Sequence, residues 1–266
     1  MVADEASTPY TEGSVVINDL NIGYAKYGNG SEIVVCICGA VGSYKKDWPL
    51  TLLKHFDPSF VTLICIDPPG YGTSRPPERV QEVGRCTKDG ALVVQVMEKL
   101  EIEKYTVMGW SEGARTSIHV AARGKGRVQR LILLAPGSKV SKLGSMAFSG
   151  MRNTDHWLPS ARAPYLAHYS DDYLKKQWAD LCDVVQQVYD FCGGRFPCDY
   201  ELPSITCPTL VVNGGLDRFC GDAKDFISVI KNSKLEVHAQ GGHDFYLKYP
   251  KWFSDKIQNF LRNTTC

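Results

Sequence analysis

Between residues 14 and 137, short apolar runs alternate with stretches whose apolar residues recur at helical spacing. Residues 15–19, 22–27, 33–38, 61–67, 105–110 and 131–135 read as strands. The later ones are continuous apolar runs, as expected of parallel strands buried on both faces. Residues 48–56, 87–100 and 111–122 read as helices. In the second, positions 92, 93, 96, 97 and 100 share one face; in the first, Pro49 is tolerable in the opening turn. Such alternation predicts βαβ units and a parallel sheet, with the two earliest strands close enough to form an antiparallel edge.

The pattern breaks after Pro136. Residues 138–202 hold no convincing strand, one helical stretch near 172–189, and the aromatic residues Trp157, Tyr165, Tyr169, Tyr173, Trp178, Tyr189 and Phe191. Alternation then resumes with strand 209–213, helix 222–231, strand 234–239 and helix 252–261. A helical insert between two parallel strands predicts a lid over the carboxyl edge of the sheet, where open α/β sheets bind ligands. The expected organisation is a core of residues 1–137 and 203–266 with a lid at 138–202. The sheet is expected to have eight mostly parallel strands, with the lid following strand 6.

Composition narrows the function classes. The 266 residues carry 30 basic and 29 acidic side chains, a net charge of +1, so neither nucleic acid nor an anionic membrane is an expected partner. No apolar run reaches membrane-spanning length. The acidic start, MVADEASTPYTEG, shows no targeting pattern; the cytoplasm is the default compartment, with the mitochondrion left open. Ten cysteines (36, 38, 65, 86, 182, 192, 198, 207, 220 and 266) form no Cys-x-x-Cys and no zinc-type cluster. They read as free, mostly buried thiols, with no metal expected. The oligomeric state is left open, a monomer being compatible.

Gly109-Trp110-Ser111-Glu112-Gly113 matches G-x-S-x-G between an apolar strand and a helix. That setting is the nucleophile elbow of α/β hydrolases, a tight turn that projects the serine hydroxyl clear of the sheet. A serine nucleophile needs a general base and a group to orient it. In this arrangement the chain order is Ser, acid, His. Asp217 follows strand 209–213 on the turn Gly214-Gly215-Leu216, and His243 follows strand 234–239 after Gly241-Gly242. Asp222 and Asp225 fit less well, falling at the start of a helix and within it. Of the other histidines, His55 and His119 fall in helices, His156 and His168 in the insert, and His238 within a strand. The backbone amides of Glu112 and Ala40 are the expected oxyanion donors.

The segments Asp67-Pro-Pro-Gly-Tyr-Gly-Thr-Ser-Arg-Pro-Pro-Glu-Arg79, Gly109–Gly113, Cys207-Pro-Thr-Leu-Val-Val-Asn-Gly-Gly-Leu-Asp217 and Gly241-Gly-His243 together resemble the valacyclovir hydrolase, or biphenyl hydrolase-like, group of α/β hydrolases. The resemblance covers about residues 14–261. It implies cofactor-free hydrolysis of small-molecule α-amino-acid esters, including ester prodrugs. It also implies that the acidic residue after the nucleophile, here Glu112 where the group has Asp, holds the substrate ammonium. Trp110 and Glu112 are the expected substrate-binding residues. Two further departures are Arg218, where Pro usually follows the acid, and Cys38, where His usually precedes the oxyanion-loop glycine. The second leaves the anchoring of that loop open. A pairing of Glu112 with Arg115, three residues on, would compete with ammonium binding. The same triad also permits carbon–carbon bond, lactone or simple carboxylic ester hydrolysis. A non-catalytic sensor or binding module is the alternative from another class.

Overall fold

The structure, a computed structural model, describes residues 9–124, 126–219 and 223–264. It opens with a hairpin, β1 (Tyr10–Ile17) and β2 (Leu20–Tyr27), whose turn residues Asn18 and Asp19 both have positive φ. That is the two-residue turn whose twist matches antiparallel strands. The expected first strand, 15–19, therefore ends two residues early. It also starts five residues earlier, because Thr11, Glu12 and Ser14 face solvent and dilute the apolar signal.

Next come β3 (Glu32–Ile37), the single turns α1 (Tyr44–Asp47) and α2 (Leu50–Leu53), and β4 (Val61–Ile66). The expected helix 48–56 is thus cut down to Leu50–Leu53, and a separate turn, Tyr44–Asp47, precedes it. Proline lacks an N–H and disfavours helical backbone in the preceding residue. Trp48 accordingly leaves the helix at φ −126°, ψ 52°, and Pro49 caps the next turn. Then follow α3 (Arg85–Lys99), β5 (Tyr105–Trp110), α4 (Glu112–Arg123) and β6 (Val128–Leu134). Every residue of β4 and β5 is buried.

Between β6 and β7 (Thr209–Gly214) lie α5 (Lys142–Gly150), α6 (Pro159–Leu166) and α7 (Asp171–Phe191). Among the described residues no strand interrupts them; Lys139 and Arg195 form one isolated bridge. The chain ends with α8 (Lys224–Val229), β8 (Ser233–His238), α9 (Phe245–Lys248) and α10 (Pro250–Asn263). Asp222, the expected start of α8, lies outside the described residues, as do Cys220 and Cys266. Cys36, Cys38, Cys65, Cys86, Cys182 and Cys198 are buried free thiols. Among the described residues no helix is long and apolar enough to cross a membrane.

One eight-stranded sheet runs β1-β2-β4-β3-β5-β6-β7-β8. Pairing is antiparallel at β1–β2 and β2–β4 and parallel from β4 to β8. Alternate strand residues enter opposite layers. Val35, Ile37, Val107 and Leu133 pack with Val93, Val96, Met97 and Ile118 of α3 and α4. Val34, Leu63, Met108 and Val212 pack with Trp48, Leu53, Phe253 and Ile257 on the other face. Each fully buried Leu, Ile or Phe contributes about 1.5–3 kcal/mol, so the sheet is a rigid base. A third apolar cluster joins Tyr169, Tyr173, Leu174 and Trp178 to Val41 and Tyr71. It seats the insert on loops at the carboxyl edge.

Candidate active site

Ser111 stands between β5 and α4 at φ 56°, ψ −113°. A non-glycine residue in such a conformation costs about 1–3 kcal/mol and persists only where its surroundings fix it. They do so here. The Ser111 amide donates to Leu134 O at 2.9 Å, and Ser111 O accepts from the Ala114 amide at 3.1 Å. A Cβ on Gly109 would collide with the Gly113 carbonyl, and one on Gly113 would lie 2.6 Å from Cys38 O. The two flanking glycines thus let α4 start against the ends of β3 and β5. Glu112 is the first residue of α4, so its amide belongs to the helix N-terminal set that lacks an intrahelical acceptor.

The loops after β7 and β8 are laced together. Gly215 N donates to His238 O at 2.9 Å and Leu216 N to Gly241 O at 2.8 Å. A Cβ on Gly214 would collide with the carbonyls of Gly241 and Gly242. This lacing brings Asp217 and His243 together. His243 Nδ1 lies 2.9 Å from Asp217 Oδ2, and His243 Nε2 lies 3.0 Å from Ser111 Oγ. An ionised carboxylate only accepts, so Nδ1 carries the proton and Nε2 accepts from the serine hydroxyl. The Asp217 side chain is fully buried, and its other oxygen accepts from the Phe219 amide at 2.8 Å. The His243 ring lies between Trp110, 5.1 Å away, and Phe219, 5.2 Å away. Trp110 Nε1 also donates to His243 O at 2.9 Å. Trp110, expected to touch substrate, is buried against the histidine.

The loop after β3 passes the same ring: a Cβ on Gly39 would stand 2.6 Å from Trp110. Ala40 is therefore carried alongside the nucleophile elbow. His238 is stacked on Tyr249, and His119 is buried with Nε2 3.1 Å from Thr87 Oγ1.

Glu112 differs from expectation in its partners. Its Oε2 accepts from Arg85 Nε at 3.0 Å and from Arg85 Nη2, while Arg79 Nη2 lies 3.8 Å from Oε1. Arg79 in turn forks onto Asp89 at 2.9 and 2.5 Å. All four side chains are at most 8% exposed. Burial pushes the Glu112 carboxyl up, but Arg85, then Arg79 and Arg115, bring it below its ordinary range. Arg115 is not the pairing partner; it donates to Gly137 O at 2.7 Å and lies over the Phe196 ring. The cause is tertiary. Arg85 opens α3, which packs beside α4, so its guanidinium arrives from a neighbouring helix. Sequence spacing shows only the i+3 residue.

Lys46 and Asp47, which no motif marks, also lie beside the elbow: Asp47 Oδ2 accepts from the Gly39 amide at 2.9 Å. Among the described residues no three His, Cys, Asp or Glu side chains converge as a metal site.

Residues 34–256 match the alpha/beta hydrolase family over most of the chain. The chain belongs to this family. Alpha/beta hydrolase relatives include the serine hydrolase BPHL of Mus musculus, 29% identical over 259 residues, covering 96% of this chain and 88% of that protein. A 2-hydroxy-6-oxononadienedioate/2-hydroxy-6-oxononatrienedioate hydrolase of Pseudomonas putida is 25% identical, covering 91% and 92%. The crystal structure of a serine hydrolase involved in carbazole degradation, CarC, has the same fold, with a TM-score of 0.76 at 19% identity, covering 96% of this chain and 100% of that one. The likeness to the biphenyl hydrolase-like group, first drawn from short motifs, therefore extends along nearly the whole alpha/beta hydrolase chain.

Proposed function

We propose that this protein is a serine hydrolase of carboxylic esters that works through an acyl-enzyme on Ser111. The observation that carries this is the continuous relay Ser111 Oγ to His243 Nε2 at 3.0 Å and His243 Nδ1 to Asp217 Oδ2 at 2.9 Å. His243 takes the serine proton as Ser111 attacks the ester carbonyl. Asp217 holds the imidazole in the accepting tautomer and stabilises its charged form. The amides of Ala40 and Glu112 stabilise the tetrahedral oxyanion. His243 then protonates the departing alkoxide, and water, activated by the same imidazole, releases the acid.

Resemblance to the biphenyl hydrolase-like group suggests aminoacyl esters, whose ammonium needs an anion beside the nucleophile. Glu112 holds that position, but Arg85 and Arg79 compensate its charge. A substrate ammonium would have to displace a buried guanidinium, and charge-assisted hydrogen bonds of that kind are worth about 1.5–3 kcal/mol. The substrate class is therefore carboxylic esters at large, with aminoacyl esters accepted without preference. The test is a panel of plain esters, aminoacyl esters and their N-acetylated forms, with a dienoate whose carbon–carbon bond is cleavable. Expected are ester turnover, similar kcat/KM with and without N-acetylation, and Ser111 labelled by a fluorophosphonate. A strong preference for the free amine would restore Glu112 as ammonium ligand. Dienoate cleavage without ester turnover would favour the reaction class named for the Pseudomonas relative.

A further inference from the structure

An oxyanion amide acts only if its loop is held to within tenths of an ångström. The loop after β3 lacks the histidine common at position 38; Cys38 Sγ reaches Ile66 O at 3.4 Å, a weak tie. The loop is also strained. Val41, a β-branched residue, has φ 50°, a conformation that persists only when neighbours dictate it.

A buried ion pair supplies that restraint. Asp47, with no exposed surface, accepts from the Gly39 amide at 2.9 Å through Oδ2. The turn closes with Gly42 N donating to Gly39 O at 3.1 Å. A Cβ on Gly42 would collide with the Asp47 carboxylate, so glycine there makes room for the anchor. Asp47 Oδ1 accepts from Lys46 Nζ at 2.6 Å. The Lys46 side chain is 8% exposed; its ammonium lies 5.3 Å from the Trp110 ring centroid and 4.2 Å from that of Tyr165 on α6. From the insert, Tyr169 donates to Gly42 O at 2.8 Å and accepts from Gly72 N at 2.9 Å.

We propose that Asp47, neutralised by Lys46, is the positioning residue of the oxyanion loop. With the Gly39 amide tied to Asp47, the next amide, that of Ala40, is set for the substrate oxygen. An uncompensated carboxylate there would repel the developing oxyanion; the Lys46 ammonium, 2.6 Å from Asp47 Oδ1, removes that penalty. Tyr165 and Tyr169 tie the pair and the loop to the insert.

This inference rests on the serine hydrolase reading, and four variants of the whole chain test it. Asp47→Asn turns an amide donor towards the Lys46 ammonium or the Gly39 amide. It should lower kcat roughly 10- to 100-fold, with KM within about threefold. Lys46→Met strands the carboxylate and should lower kcat further. The double variant lets the Asn oxygen accept from Gly39 with no opposing ammonium, so its kcat should exceed that of Lys46→Met. Lys46→Arg should recover much of the activity. Unchanged kcat in Asp47→Asn, additive losses in the double variant, or loss of the fold in both would overturn the proposal. A wild type that neither labels with fluorophosphonate nor turns over esters would sink the hydrolase reading as well; an active wild type with indifferent variants sinks only this inference.

Discussion

Two acid–cation pairs flank Ser111, and they differ in what the acid has left to give. Asp47 shares its carboxylate between Lys46 and a loop amide. Glu112 is taken up by Arg85, with Arg79 behind it. Both acids are buried and within one loop or helix of Ser111. What a buried carboxylate beside Ser111 can do is set by the donors that already hold its lone pairs. Asp217 is a third case: one oxygen orients an imidazole and the other accepts a backbone amide.

The triad should set the upper scale for this comparison. Ser111→Ala is expected to cut ester turnover at least about 10⁴-fold while leaving the melting temperature nearly unchanged. Asp217→Asn, which spoils the tautomer of His243, should lose about 10³- to 10⁴-fold in kcat. Retained turnover in Ser111→Ala would remove the nucleophile from the mechanism. Asp217→Asn at wild-type speed would remove Asp217 from the proposed mechanism.

The Glu112 pair should show in stability more than in chemistry. Glu112→Ala leaves the Arg85 guanidinium buried without its anion, an expected loss of about 3–5 kcal/mol in denaturant unfolding. Replacing Arg85 and Glu112 together by Met and Leu should cost much less, since no unpaired charge remains. A large kcat/KM loss for aminoacyl esters alone, in a stable Glu112→Gln variant, would break the distinction between the two pairs.

His119 tests the cost of burying an imidazole, with the Glu201 carboxylate 3.8 Å from its Nδ1. Burial, then the Arg123 guanidinium, lowers its pKa from 6.5 to about 4. The unfolded chain therefore binds the proton more readily, and stability rises with pH across that window. The contribution is complete above pH 6.5 and is lost as pH falls towards 4, about 2–3 kcal/mol in all. His119→Gln should flatten the stability curve there, read as unfolding midpoints at pH 4.5 and 7. An unchanged slope would mean that His119 is solvated when charged.

Motif-bearing parts of the site were legible in the sequence because local geometry imposes them. A tight strand-to-helix turn demands glycines around Ser111, and laced loops demand them before Asp217 and His243. Runs of buried residues gave away the parallel strands, since a strand covered on both faces has no polar side. Elements with one wet face were blurred. Tyr10–Val16 of β1 alternate with solvent, and α5 and α6 expose most of their surface, so no apolar stripe announced them.

Sequence by itself determined the fold class, the order of the strands along the chain, and three positions, Ser111, Asp217 and His243, whose side chains the fold brings within hydrogen-bond distance. Each is set by short-range patterning or by a turn that tolerates few residue types. Only the tertiary structure decided what each charge meets. Arg85 reaches Glu112 because α3 lies beside α4. Asp47 reaches Gly39 because a helical turn folds back on the loop that precedes it. Coulombic pairing in a buried site depends on distance in space, and that distance is set by how the helices pack.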